Sequence, residues 1–223
     1  MIVVHHLEKS RAHRIVWLLE ELGLDYDVVR YRRDPDTLLA PPELRAVHPL
    51  GRSPVVVDGG DTLAESGAIV ETLLERYDPQ SRLAPAVGTP ERVRWHYWMH
   101  FAEGSAMPPL LISLILKRVR EARMPFFARP VARTIADRVT ASLVAPQLRA
   151  NGQYMDQALA ADPWFAGASF SAADVQMSFA VQALAARGGI DDWPHLQDWL
   201  RRAQAREAWR RTLARVGPLE LAG

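Results

Sequence analysis

The sequence predicts a small α/β unit followed by a larger all-helical one. Three observations carry that reading. Residues 1–78 alternate strand and helix patterns, residues 79–89 form a linker marked by Pro79, Pro85 and Gly88, and helical periodicity runs through 90–223.

Ile2 to His6 is a short β-branched strand. Ile15, Leu18, Leu19 and Leu22 then recur at i, i+3, i+4 and i+7, which makes one apolar helical stripe over 11–22. Gly23 is a suitable helix stop. Tyr26 to Tyr31 is a second strand, so the three elements form a βαβ unit with parallel strands and a right-handed crossover. A loop rich in proline and charge follows, with a short helix at Glu43 to Val47. Val55-Val56-Val57 and Thr62-Leu63-Ala64 flank Asp58-Gly59-Gly60-Asp61, a hairpin signal. Ser66 is expected to cap a helix that buries Ile69, Val70, Leu73 and Leu74. A parallel pair and an antiparallel hairpin, making a mixed four-stranded sheet, fit a thioredoxin-like domain.

Beyond the linker, Thr89-Pro90-Glu91 reads as N-cap, N1 proline and first-turn acid. Gly104 and Pro108-Pro109 are expected to interrupt or kink the helix that follows, and Pro146 to kink a second helical stretch over 130–159. Ser171 with Asp174 forms a capping pair, Asp174 being a shorter relative of the usual Glu. Loss of the Asp174 carboxylate as a cap is expected to cost on the order of 1–2 kcal/mol.

The chain of 223 residues is 48% hydrophobic, enough for a real core, and carries a net charge of +1. That balance offers no bulk attraction to nucleic acid or membrane, and neither is expected as a partner. It has no cysteine, which excludes disulfides, cysteine-based zinc sites and an intrinsic CxxC pair. His96 and His100 are four apart on one helix, but no third ligand stands in register, so no metal is expected. The chain opens directly into Ile2-Val3-Val4, unlike a signal peptide, and the apolar run closed by Lys117-Arg118 is short for a membrane span. A cytoplasmic protein is expected.

Four motifs then stand in order: Ser10-Arg11-Ala12-His13-Arg14-Ile15-Val16-Trp17-Leu18-Leu19-Glu20-Glu21-Leu22-Gly23, His48-Pro49-Leu50-Gly51-Arg52-Ser53-Pro54-Val55-Val56, Leu63-Ala64-Glu65-Ser66-Gly67-Ala68-Ile69, and Phe170-Ser171-Ala172-Ala173-Asp174-Val175. With them the chain resembles the cytosolic glutathione S-transferases, most of all bacterial and fungal types whose first strand leads into a serine. The resemblance spans nearly the whole chain. It implies a thioredoxin-like domain followed by the family's all-helical C-terminal domain.

The resemblance also implies site residues. Pro54 corresponds to the cis-proline that lets residue 53 offer its N–H and C=O to the cysteinyl backbone of glutathione, like an added strand. Ser53 stands where Val or Ile is commoner, and because that contact is made by backbone the change is expected to matter little. Glu65 pairs with the ligand's α-ammonium, and Ser66 at a helix start takes its α-carboxylate. Arg52 suits the glycyl carboxylate. Ser10 is the expected catalytic residue, its hydroxyl steadying the glutathione thiolate, with Lys9 and His6 as nearby alternatives. A free thiol titrates near ~8.5, and lowering that by ~2 units raises the thiolate fraction at neutral pH by roughly 25-fold.

The second substrate, an apolar electrophile, is expected near Leu7, Met107 and Leu111. The expected activity is therefore glutathione conjugation in detoxification by a homodimer, with Arg92, Arg94 and Trp98 near the partner. Two alternatives stay open: glutathione-dependent disulfide or peroxide reduction, which without a protein thiol needs two glutathiones, and a non-catalytic binding or regulatory role on the same fold.

Overall fold

The computed structural model describes residues 1–219 and 221. The first part holds β1 (Ile2–Leu7), α1 (Ala12–Leu22), β2 (Tyr26–Tyr31), α2 (Pro42–Val47), β3 (Val55–Asp58), β4 (Asp61–Ala64) and α3 (Ser66–Tyr77). The sheet order is β2-β1-β3-β4. β1 and β2 run parallel, and β1/β3 and β3/β4 are antiparallel, as the βαβ and hairpin signals require. Gly23 ends α1 in the left-handed region at φ 69, its N–H reaching the carbonyls of Leu19 and Glu20. The β3–β4 hairpin turns at Gly59, φ 64. Its base is tied to the end of α3, because Asp58 accepts from Arg76 at 2.8 Å and from the Tyr77 hydroxyl at 2.8 Å.

The second part is helical: α4 (Pro90–Phe101), α5 (Met107–Glu121), α6 (Arg129–Val139), α7 (Ala145–Ala161), α8 (Ala172–Gly188), α9 (Pro194–Ala205) and α10 (Glu207–Val216). Wide π turns at Ala102–Ala106 and Thr140–Val144 join α4 to α5 and α6 to α7. Each turn precedes a proline, Pro108-Pro109 or Pro146. A proline has no N–H to return to the carbonyl four residues back, so the ladder opens there and the helix continues in a wider turn. The outcome is one continuous helical stretch, Pro90–Glu121, long and apolar enough by length and composition to cross a membrane. That differs from the expectation of a short run. Its Trp95, Trp98, Met99, Ala102, Ala106 and Leu110 are buried in the core.

Asp174 is fully buried at the start of α8, where the capping box forms with Ser171. The carboxylate does more than cap. It accepts from Phe165 N–H at 3.0 Å and from Trp199 Nε1–H at 2.8 Å as well as from Ser171. Burial pushes its pKa up to about 6 while these donors pull it down.

The last helix returns to the first. Trp209 meets Trp17 edge-on at 4.9 Å, Arg206 pairs with Glu21 at 2.6 Å, and Arg211 pairs with Glu20 at 2.6 Å. Past α10, His13 Nε2–H donates to the Gly217 carbonyl at 3.2 Å. Burial lowers the His13 pKa to about 4, so the ring is neutral at ordinary pH.

Candidate active site

The β1–β3 ladder ends at the pair His5–Val55, two residues after Ser53. The Ser53–Pro54 bond is cis. Ser53 therefore lies beyond the sheet, and its own N–H and C=O are outside the ladder. Its side chain is not idle. The hydroxyl donates to the His5 carbonyl at 3.0 Å, accepts from Leu7 N–H at 3.2 Å and accepts from the Ser10 hydroxyl at 3.2 Å. A Val or Ile here could make none of these bonds, so the residue type matters more than expected.

A cleft of about 200 Å3 opens in front of this corner. Ser53, Pro54, Glu65 and Ser66 line it, with Arg52 on its exposed side and His48 and Leu50 from the loop before. Ser66 is not the N-cap. It is the first residue of α3, only 4% exposed, and Glu65 before it holds φ 67, a conformation uncommon for a residue with a side chain. The unpaired N–H groups at the start of a helix favour an anion, and α3 begins at the cleft wall.

The opposite wall combines two regions distant in sequence. Arg11, the residue before α1, places Nε 3.0 Å from both Glu103 carboxylate oxygens. Arg14, 1% exposed, reaches the same carboxylate and donates to the Gln176 carbonyl at 2.5 Å. Burial lowers the Arg14 pKa to about 10 and Glu103 pulls it back up, so it stays charged at neutral pH. Two guanidinium groups share one carboxylate, and this wall carries a net positive charge. Both guanidiniums also lie over the Phe179 ring, 5.3 and 5.7 Å from its centroid.

Ser10 is 5% exposed and does not line the cleft. Its oxygen accepts from Ala12 N–H at 3.2 Å at the start of α1, while its proton goes to Ser53. Leu7, Met107 and Leu111 are also absent from the cleft lining. Leu7 and Met107 are buried, and Leu111 is 52% exposed on α5. The fold thus brings Arg52, Ser53, Pro54, Glu65 and Ser66 together and leaves Ser10 behind them. Arg11, His48, Leu50, Ala64 and Glu103 are the cleft residues that reading by position did not select. Arg11 had a signal, since it follows Ser10 at a helix start. Glu103 had only its presence as an acid between Ala102 and Gly104. Among the described residues, no cluster of three or more His, Cys, Asp or Glu could hold a metal ion.

Comparison with known proteins decides the family. Residues 1–75 match the glutathione S-transferase N-terminal domain and residues 133–202 the C-terminal domain. Glutathione S-transferase 3 of Schizosaccharomyces pombe is 37% identical over 94% of this chain and 86% of its own length. The chain belongs to the glutathione S-transferase family. Glutathione S-transferase 1 of Saccharomyces cerevisiae is 33% identical over 94% of this chain and 92% of its own. A crystal structure of a glutathione S-transferase from Actinobacillus pleuropneumoniae superposes with a TM-score of 0.77 at 30% identity, covering 99% of this chain and 95% of that one. The transferase thus combines a thioredoxin-like N-terminal domain with the family's helical domain, and its activity is glutathione transfer.

Proposed function

We propose that the transferase lays glutathione along the cleft with its cysteinyl backbone on Ser53, and activates the thiol with Arg11. The N–H and C=O of Ser53, outside the ladder, pair with the ligand backbone like a further strand. The γ-glutamyl carboxylate takes the α3 N-terminus and the Ser66 hydroxyl, its ammonium takes Glu65, and the glycyl carboxylate takes Arg52. The single observation that carries the assignment of charge is the lining itself: Arg11 and Glu103 line one cleft together with Glu65 and Ser66.

A thiolate formed there is stabilised by the net positive Arg11–Arg14–Glu103 group. Ser10 keeps a supporting role through its bonds to Ala12 and Ser53, holding the corner on which the ligand backbone sits. The thiolate then attacks an apolar electrophile, forming the sulfur–carbon bond as the leaving group departs. The transferase acts as a homodimer in the cytoplasm and serves detoxification. For the dimer, exposed Val93 (71%) and Tyr97 (45%) on α4 supply an apolar face. Trp98 is committed to its own core at 2% exposure, and Arg94 to Glu91 and the Ala166 carbonyl.

The test is glutathione calorimetry followed by pH–rate profiles with a panel of electrophiles and disulfides. Arg11→Ala is expected to raise the kinetic pKa of the bound thiol and lower turnover near neutrality. Ser10→Ala is expected to leave that pKa in place. Loss of turnover in folded Ser10→Ala with Arg11→Ala unaffected would return the activating role to the serine.

A further inference from the structure

The net charge of +1 conceals a segregation. Residues 117–138, which span the end of α5, the connecting turn and most of α6, contain seven Lys or Arg and two Asp or Glu. That segment carries +5, so the rest of the chain carries −4. All seven cations are exposed. Among the described residues only Arg120 has a carboxylate partner, Asp137 at 2.6 Å.

The turn at the tip displays two aromatic rings. Ala128 N–H donates to the Pro125 carbonyl at 3.0 Å, closing a turn with Phe126 and Phe127 at its two corner positions. Arg129 Nε donates to the Met124 carbonyl at 3.2 Å and fixes the turn from behind. Phe126 is 82% exposed and Phe127 69%. Behind them two apolar stripes run up the hairpin, Leu111, Ile115 and Val119 on α5 and Val131 and Ile135 on α6, all exposed. Both stripes keep a spacing of four, so each lies on one helix face.

We propose that this α5–α6 tip docks the transferase on an anionic lipid bilayer. A convex pair of rings collared by arginines suits a surface that yields. The rings enter the headgroup boundary, and the cations stay at the phosphate level. Each Lys or Arg near an anionic leaflet multiplies partitioning by about five-fold. A tip-to-tip contact with a second copy of the chain is a poorer occupant, because two such tips repel. Nucleic acid is poorer as well. The two rings stand edge to face at 83° and offer no flat platform for bases, and the aliphatic stripes match no phosphate backbone. The tip lies about 27 Å along the helix from Glu103, at 1.5 Å per residue. The docked protein therefore keeps its glutathione cleft open, and the proposal stands independently of how glutathione is held there. Docking brings the enzyme to apolar electrophiles dissolved in lipid.

The test is co-sedimentation of the full chain with phosphatidylcholine vesicles, with and without phosphatidylserine, at low and high salt. The wild type is expected to bind only the phosphatidylserine vesicles and to lose at least ten-fold in partitioning at high salt. Phe126→Ser/Phe127→Ser is expected to lose about ten-fold at either salt, with conjugation of a water-soluble electrophile unchanged. Arg118→Glu/Arg123→Glu is expected to abolish the phosphatidylserine preference. No vesicle binding, equal binding to neutral vesicles, or stronger retention on nucleic acid overturns the proposal. So does light scattering in which the wild type is dimeric and the Phe double variant monomeric, since the tip would then be a contact between copies.

Discussion

Glu103→Gln separates the two roles of the cleft wall. Arg14 is 1% exposed, and Glu103 is its carboxylate partner. Glutamine keeps the shape and one acceptor oxygen but removes the charge. Breaking a buried pair costs about 3–5 kcal/mol. Glu103 is 36% exposed, so water screens part of the loss and about 2–3 kcal/mol is expected. For a chain of this length each kcal/mol moves Tm by about 2–4 °C, so a fall of about 4–12 °C follows. Meanwhile Arg11 keeps at most one of the two oxygens 3.0 Å away, and with the carboxylate charge gone the wall gains one positive charge. A unit charge at about 6 Å and an effective dielectric near 20 is worth about 3 kcal/mol, or about 2 pK units for the bound thiol. Thermal unfolding followed by circular dichroism reads the first effect. Ultraviolet titration of the bound thiolate reads the second, and its pKa is expected to fall. An unchanged midpoint together with an unchanged or higher thiol pKa would refute the reasoning.

Three further outcomes are expected. Ser66→Ala removes one bond to a charged carboxylate and should weaken glutathione binding by about ten-fold in calorimetry, with unfolding unchanged. Asp174→Ala leaves the Phe165, Ser171 and Trp199 donors buried without their acceptor, so about 3–5 kcal/mol should be lost in urea unfolding, beyond the capping value alone. A loss under about 1 kcal/mol would show that water or another acceptor replaces the carboxylate. His13→Gln keeps a neutral donor for Gly217. In the wild type the unfolded chain takes up a proton at position 13 first as pH falls, because the folded ring titrates only at about 4. His13 therefore contributes stability above pH 6.5 that is lost as pH falls from there towards about 4, by about 3 kcal/mol in all. The variant should show a correspondingly flatter stability profile, checked by urea midpoints at neutral and acid pH.

What could be read from sequence was local. The α1 stripe, the Asp58–Asp61 hairpin and the Ser171–Asp174 capping box each depend on residues within a few positions of one another, and periodicity or turn chemistry reveals them directly. The family motifs placed Ser53, Glu65 and Ser66 around one cleft. Ser10 was read from its place after the first strand, and nothing local reveals that its proton is already directed at Ser53, 43 residues away. Glu103 joins Arg11 from 92 positions along the chain. Only the packing of the helical part against α1 brings them together. The charge of the α5–α6 tip was hidden for a different reason. A whole-chain total averages over surfaces, and this one is set apart by the length of the helices that carry it.

The grip of α10 on α1 bears on how the polypeptide is made. Trp209 closes over Trp17, and Gly217 answers His13, so the N-terminal half lacks that wall until α10 and Gly217 have been translated. Until then the α1 face that receives Trp209 has no cover from α10. A premature stop anywhere before α10 thus disables the half that was synthesised first.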